Sequence, residues 1–254
     1  MKIEEKIKQK FLYSKKNNVL KSLYFFLQRL KLSGFNKNYT ITGVDLLLDY
    51  FFKNINIKSG IYIDVGCNNP FVNNYTYLLH KNGWSGINID LDFHYIDMFN
   101  YFRPGDYNKQ IAIADVTGET DLFFYHNKSS INTLSKEMHF LRGSNAKEIK
   151  RIKTDTLNNI IKESKIFDKK VNLLTIDVEG FELNVLKGFD FEKYSPEIIV
   201  IEYIDPTLKK VEFYNQNINN IINSELYDFM NKKNYKFVNW FHSDLIFVNS
   251  RVRN

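Results

Sequence analysis

The order of apolar and polar positions divides the chain into two unlike stretches. Leu20, Leu23, Tyr24, Leu27 and Leu30 recur at three- and four-residue steps, with Lys21, Gln28 and Arg29 between them. That period predicts an amphipathic helix over about 18–32, ended near Gly34. From Thr42 onward, short apolar runs alternate with helical periods. Val44 to Lys53 predicts a helix, and Gly60 breaks it. Ile61 to Val65 reads as a buried strand closed by Gly66, followed by a helix over about 73–82 that Gly83 ends. Gly86 to Asp90 reads as the second strand, Ile111 to Ala114 as the third, and Asp121 to His126 as an added strand. The polar stretch 128–150, with Ser129-Ser130-Ile131-Asn132-Thr133-Leu134, reads as a lid or substrate loop. A helix over Asp155 to Ser164, a strand over Val171 to Asp177 and a helix from Gly180 to Lys187 come next. A strand over Ile198 to Glu202, a helix near 219–233 and strands near 235–239 and 244–248 complete the pattern. This alternation implies a Rossmann-like, doubly wound α/β fold with a mostly parallel sheet. The two closing strands, joined by a turn at His242, imply an antiparallel edge hairpin.

Charge sharpens the division. Residues 1–40 hold ten of the 35 Lys and Arg residues against only Glu4 and Glu5, a net +8 in a chain of net +6. The expected organisation is a basic, helical N-terminal appendage over 1–40 and one domain over 41–254. Such a helix suits contact with a membrane surface or a partner, or packing of its apolar stripe on the core. The body carries no basic excess, so nucleic acid is not an expected partner. The single cysteine, Cys67, excludes an internal disulfide framework and fits a reducing compartment. No apolar stretch reaches bilayer length and no cleavage pattern opens the chain, so the expectation is a cytoplasmic, at most membrane-peripheral, protein.

Ligands of doubly wound sheets lie at the carboxyl ends of the strands, where strand order reverses. The first strand runs into Asp64-Val65-Gly66-Cys67-Asn68-Asn69-Pro70, and the second ends in Asp90 a little over twenty residues later. A carboxylate there accepts the hydrogen bonds of ribose hydroxyls. Asp115, after the predicted third strand, is placed to meet an adenine edge. A dinucleotide would need G-x-G-x-x-G to seat its pyrophosphate on a helix N-terminus. Here Gly66-Cys67-Asn68-Asn69-Pro70-Phe71 lacks the second and third glycines. S-adenosylmethionine has no phosphate and needs carboxylates for its ammonium and ribose, so it is the expected cofactor, with Asp64 one of those acids.

Tyr62-Ile63-Asp64-Val65-Gly66-Cys67-Asn68-Asn69-Pro70, Asn74-Tyr75-Thr76-Tyr77 and Gly83-Trp84-Ser85-Gly86-Ile87-Asn88-Ile89-Asp90 together resemble the FkbM-type methyltransferases. Ile176-Asp177-Val178-Glu179-Gly180-Phe181-Glu182, Val185-Leu186-Lys187-Gly188 and Pro196-Glu197-Ile198-Ile199-Val200-Ile201-Glu202 are similar to that family's second signature. The resemblance covers about 42–250. Asp90 stands where many members have Glu, and Leu91 where a Pro often follows. The resemblance implies O-methyl transfer from S-adenosylmethionine to a hydroxyl of a sugar, polysaccharide precursor, lipid or polyketide.

Residue reading and resemblance together assign Asp64, Gly66, Cys67, Asn68, Thr76, Asp90, Leu91 and Asp115 to the cofactor. An alcohol needs a base or a metal to take its proton. Asp177, Glu179 and His242 are the candidate catalytic groups, with Glu202 and Asp244 nearby. Asp177, Glu202 and His242 are the candidate ligands of a divalent cation, magnesium, manganese or another transition metal. The expected acceptor is a nucleotide-linked sugar or a surface-polysaccharide precursor. The alternatives are a lipid or small-metabolite hydroxyl, or a non-enzymatic partner protein on the same fold.

Overall fold

A computed structural model describes residues 21, 22, 24–26, 38–127, 129–164, 166, 168–204 and 217–253. Most of the predicted appendage, including most of its helix, lies outside the described residues. Those that are described, Lys21, Ser22 and Tyr24 to Phe26, are helical and sit on the body. Phe25 is buried with Phe71 and Met98, and Lys21 Nζ reaches Asp97 at 2.9 Å. Of the predicted apolar stripe only Tyr24 is described, partly buried against that cluster, while Lys21, expected on the polar face, is buried. Among the described residues, no helix is long and apolar enough to cross a membrane.

A seven-stranded sheet organises the domain, in the order β3 (Tyr107–Gln110), β2 (Ser85–Asp90), β1 (Ile61–Val65), β7 (Leu173–Ile176), β8 (Ile198–Glu202), β10 (Asp244–Asn249), β9 (Tyr235–Phe241). Strands β3 to β8 run parallel, while β10 pairs antiparallel with both β8 and β9. Strand order reverses between β1 and β7. Alternation along each central strand sends side chains to opposite layers. Ile61, Ile63, Val65, Ile199, Ile201, Leu245 and Phe247 join one core. Tyr62, Leu173, Ile198, Val200, Ile246 and Val248 join the other.

Helix α1 (Val44–Asn54) covers the second layer with Val44, Leu48 and Phe52, and α2 (Tyr77–Lys81) adds Leu79. Helix α3 (Phe93–Phe102) follows β2 and packs Ile96 and Phe99 against Cys67. The first layer receives Leu157, Ile160 and Ile161 of α5 (Leu157–Glu163) and Val185 and Leu186 of α6 (Glu182–Lys187). Each such side chain, fully buried, stabilises the fold by roughly 1.5–3 kcal/mol.

Three elements differ from the sequence expectation. The third strand of the main sheet is polar Tyr107–Gln110, whereas Ala112–Ile113 (β4) leaves it. It joins a second sheet, β4-β6-β5, with β5 (Gly118–Phe124) antiparallel to β6 (Glu148–Asp155). The polar stretch 128–150 is thus partly ordered: it holds α4 (Lys136–Leu141), capped by Ser135, and the start of β6. The helix expected over 73–82 shrinks to α2, because the Asn74 side chain is bonded to Asp64 and to the Cys67 carbonyl. The last helix splits into α7 (Ile218–Ile222) and α8 (Glu225–Lys232), where Ser224 caps Tyr227 N.

Candidate active site

At the strand-order reversal, the carboxyl ends of β1, β2, β7, β8 and the β9–β10 turn surround a cleft of about 640 Å³. Gly66 lets the two halves meet. Its φ is +81°, and a Cβ there would lie 1.8 Å from the Asp177 carbonyl oxygen. The glycine is required by the approach of the chain after β7, and Gly66 also lines the cleft. Gly66 N and Cys67 N both donate to Ile89 O, and Asp177 N donates to Val65 O, which locks the ends of β1, β2 and β7 together.

Asp64 is buried, and its oxygens accept from Thr175 Oγ1 at 2.7 Å, Thr76 Oγ1 at 3.0 Å and Asn74 Nδ2 at 3.3 Å. Burial raises its pKa, and the three donors and Arg103 oppose the rise. Asp64 borders the cleft. Thr76 is fully buried outside the lining and touches the lining residues Asp64 and Asn74.

Asp90 accepts from Asn68 N and from Asp92 N, both at 2.8 Å, one on each oxygen. Each oxygen keeps a lone pair for a ligand hydroxyl. Burial pushes this carboxyl up to about 6, against the pull of those two N–H groups. Leu91 and apolar Ile89 and Ile111 to Ile113 continue the wall beyond it. The structure places Asp115 on the exposed surface, outside this lining, because β4 turns away into the second sheet. The apolar 111–113 segment occupies the position expected for it.

On the other half, carboxylate oxygens of Asp177, Glu179 and Glu202 converge within 4.8 Å of one another. Burial raises the pKa of Asp177 and Glu202 well above the usual range; the Glu179 charge adds to the rise at Asp177, and the Asp177 and Glu179 charges add to it at Glu202. Glu182 adds to the same rise in both acids, so the cluster favours protonated over ionised carboxyls. Glu202 Oε2 is buried without a hydrogen-bond partner. Glu179 has φ +59°, and its side chain is ion-paired with Arg142, whose Nη1 also donates to Ile131 O at 2.8 Å. Thr133 Oγ1 donates to Glu179 O at 2.7 Å. The 129–134 segment is thereby tied across the cleft, where Ser129, Ser130 and Asn132 line it.

His242, on the β9–β10 turn, also lines the cleft but is exposed and lies outside the carboxylate cluster. The cluster therefore groups Asp177 and Glu202 with Glu179, where the sequence reading had His242. The neighbouring Asp244 accepts from Tyr75 OH at 2.7 Å and Thr42 Oγ1 at 3.4 Å. Tyr75, Arg103 and Arg142 escape sequence reading, because their partners lie in distant segments.

The donor set fits S-adenosylmethionine. Seven carboxylates border the cleft, and among the described lining residues there is no Lys or Arg. That chemistry suits a sulfonium and an ammonium and disfavours a pyrophosphate. The volume lies within the roughly 300–1,000 Å³ of small-molecule clefts.

The fold and cleft thus define a doubly wound α/β protein built for a positively charged nucleoside ligand. The family model described as "Methyltransferase FkbM domain" matches residues 64–237, and the chain belongs to that family. It is an S-adenosylmethionine-dependent methyltransferase by that membership. No curated protein matches the chain. Among solved structures, a TehB-like SAM-dependent methyltransferase from Corynebacterium glutamicum is similar, at 12% identity and TM-score 0.43, over 92% of this chain and 100% of that one.

Proposed function

We propose that this methyltransferase acts on oxygen, and that its acceptor is a hydroxyl of a sugar. The observation that carries the reading is the convergence of Asp177, Glu179 and Glu202 within 4.8 Å of one another in the same cleft as Asp90. The bound cofactor supplies an electrophilic methyl group on sulfur. Asp90 accepts the ribose hydroxyls, and Asp64 with its loop borders the methionine end. Asp177, with Glu179 and Glu202 beside it, would accept the acceptor's O–H and take its proton as the oxygen bonds the methyl carbon and the methyl–sulfur bond breaks, the sulfur leaving as a neutral thioether. A carboxylate with a raised pKa is the better base near neutral pH. Holding the oxygen in line does much of the remaining work. His242, on the rim, contacts the acceptor.

Thr42, Asn69, Asn73, Ser129, Ser130 and Asn132 supply amide and hydroxyl groups suited to a polyol. The acid-rich lining favours a polysaccharide precursor over a nucleotide-linked sugar. A second reading, a magnesium or manganese ion held by Asp177, Glu179 and Glu202, is favoured by their convergence and by the unpartnered Glu202 oxygen. The test is a panel of sugars, oligosaccharides and nucleotide sugars assayed for S-adenosylhomocysteine release, with and without chelator. Turnover of a hydroxyl acceptor that D177N abolishes supports the base. Methylation confined to amines or thiols refutes oxygen transfer, and full activity in excess chelator eliminates the metal.

A further inference from the structure

We infer that Arg103, which does not line the cleft, is the positioning residue that sets cofactor affinity by clamping the loop after β1. The inference rests on the reading of this cleft as the S-adenosylmethionine site. Arg103 follows α3 and is 1% exposed. Its Nη1 donates to Thr76 Oγ1 at 2.8 Å and Tyr62 OH at 3.3 Å. Its Nη2 donates to Pro70 O at 2.7 Å and Asn74 Oδ1 at 2.9 Å. One planar group therefore holds both ends of the 70–76 segment against β1. The guanidinium lies 4.7 Å over the Phe99 ring, so α3 fixes its height.

The loop needs such a clamp. Residues 67–75 form no helix or strand, yet Cys67, Asn68, Asn69, Val72 and Asn74 line the cleft. Asn68 and Asn73 sit at φ +47° and +50°, left-handed conformations that persist only where surrounding contacts over-determine them. Asn68 is also the residue whose N–H fixes Asp90. Loss of the clamp would let the loop relax and carry Asn68 off the carboxylate. The charge is compensated on both sides. Asp64 shares Thr76 and Asn74 with Arg103, and Asp106 accepts from Tyr62 OH and from Gly86 N at 3.0 Å. Lysine would keep the charge, but its single ammonium cannot span four acceptors laid out for a fork.

The experiment is calorimetry with S-adenosylhomocysteine on the full chain, with melting temperature recorded in parallel. Arg103→Lys is expected to bind at least tenfold more weakly than wild type while still melting cooperatively. Thr76→Val, which removes one clamped hydroxyl, is expected to lose a few-fold, and Thr76→Ser to stay within twofold. If Arg103→Lys does not fold, the Thr76 pair decides. A lower melting temperature with unchanged affinity in Arg103→Lys, or equal affinities for the two Thr76 variants, overturns the clamp. Wild-type protein that fails to bind S-adenosylhomocysteine overturns the cofactor reading itself, and the clamp with it.

Discussion

Glu182 offers a quantitative test of how burial tunes the acids around this site. It opens α6, is 7% exposed, and its Oε1 accepts from Val178 N at 3.1 Å and Gly180 N at 2.9 Å. It thereby holds the left-handed Glu179–Gly180 turn. Burial pushes its pKa from 4.5 to about 7, despite those N–H donors. An acid whose pKa is higher folded than unfolded binds more protons when folded. Its contribution therefore falls as pH rises from about 4.5 to about 7 and is flat above that. At pH 8 the ionised group destabilises the fold by about 3 kcal/mol relative to its protonated form, and most of that appears above pH 5. Glu182→Gln keeps the accepting oxygen and removes the charge, and its amide meets the small hollow beside Ser135, Tyr203 and Ser224. Urea unfolding in excess chelator is expected to show the variant within about 1 kcal/mol of wild type at pH 5 and about 2–3 kcal/mol more stable at pH 8. That gain corresponds to roughly 5–10 °C in melting temperature for a chain of this size. A variant less stable than wild type at both pH values, or a difference that does not change between them, would refute the argument.

Three other outcomes follow from the geometry. Gly66→Ala forces a Cβ onto the Asp177 carbonyl and should cost about 4 kcal/mol or more, seen as failure to fold or a large drop in melting temperature; near-native melting would contradict it. Wild-type affinity for S-adenosylhomocysteine should rise with pH through about 6, as Asp90 ionises to accept the ribose hydroxyls, and then level. In Asp90→Asn that rise should vanish and affinity fall at least tenfold, so a variant that binds like wild type at pH 8 would remove Asp90 from the cofactor site. Arg142→Met should free the 129–134 segment at a cost of about 1–3 kcal/mol of local stability. Faster proteolysis near Ser129 with cofactor binding retained is the signature, and an unchanged cleavage rate would count against the tether.

Legibility in the sequence tracked burial on both faces of an element. Ile61–Val65 and Ile198–Glu202 match their predicted bounds, because every apolar position there is inside the sheet and only an acid or glycine ends the run. Tyr107–Gln110 and Glu148–Asp155 carry mostly polar, half-exposed residues, so neither alternation nor hydrophobicity announces them. At the site, Asp64, Asp90, Asp177 and Glu202 were legible as strand-end acids. Their partners were not, since Arg103 reaches Pro70 and Arg142 reaches Glu179 across more than 30 residues of chain. Gly66 was legible as the turn that closes β1, but its steric cause, the Asp177 carbonyl beside it, lies in a distant segment and was not.

The two arginines explain how one cleft tolerates so many acids. Each stands behind the wall rather than in it: Arg103 beneath the 70–76 loop, Arg142 on the far side of Glu179. Neither lines the cleft, so neither competes for the place of the cofactor's positive charge. Burial raises the pKa of Asp64, Asp90, Asp177, Glu202 and Asp244, and neighbouring carboxylates add to the rise at Asp90, Asp177 and Glu202. A cationic ligand favours the ionised carboxylates, so its binding must release protons from the cleft. On the proposed reading of Asp177 as base, the buried acids that raise its pKa are therefore also the ones that would favour a sulfonium cofactor.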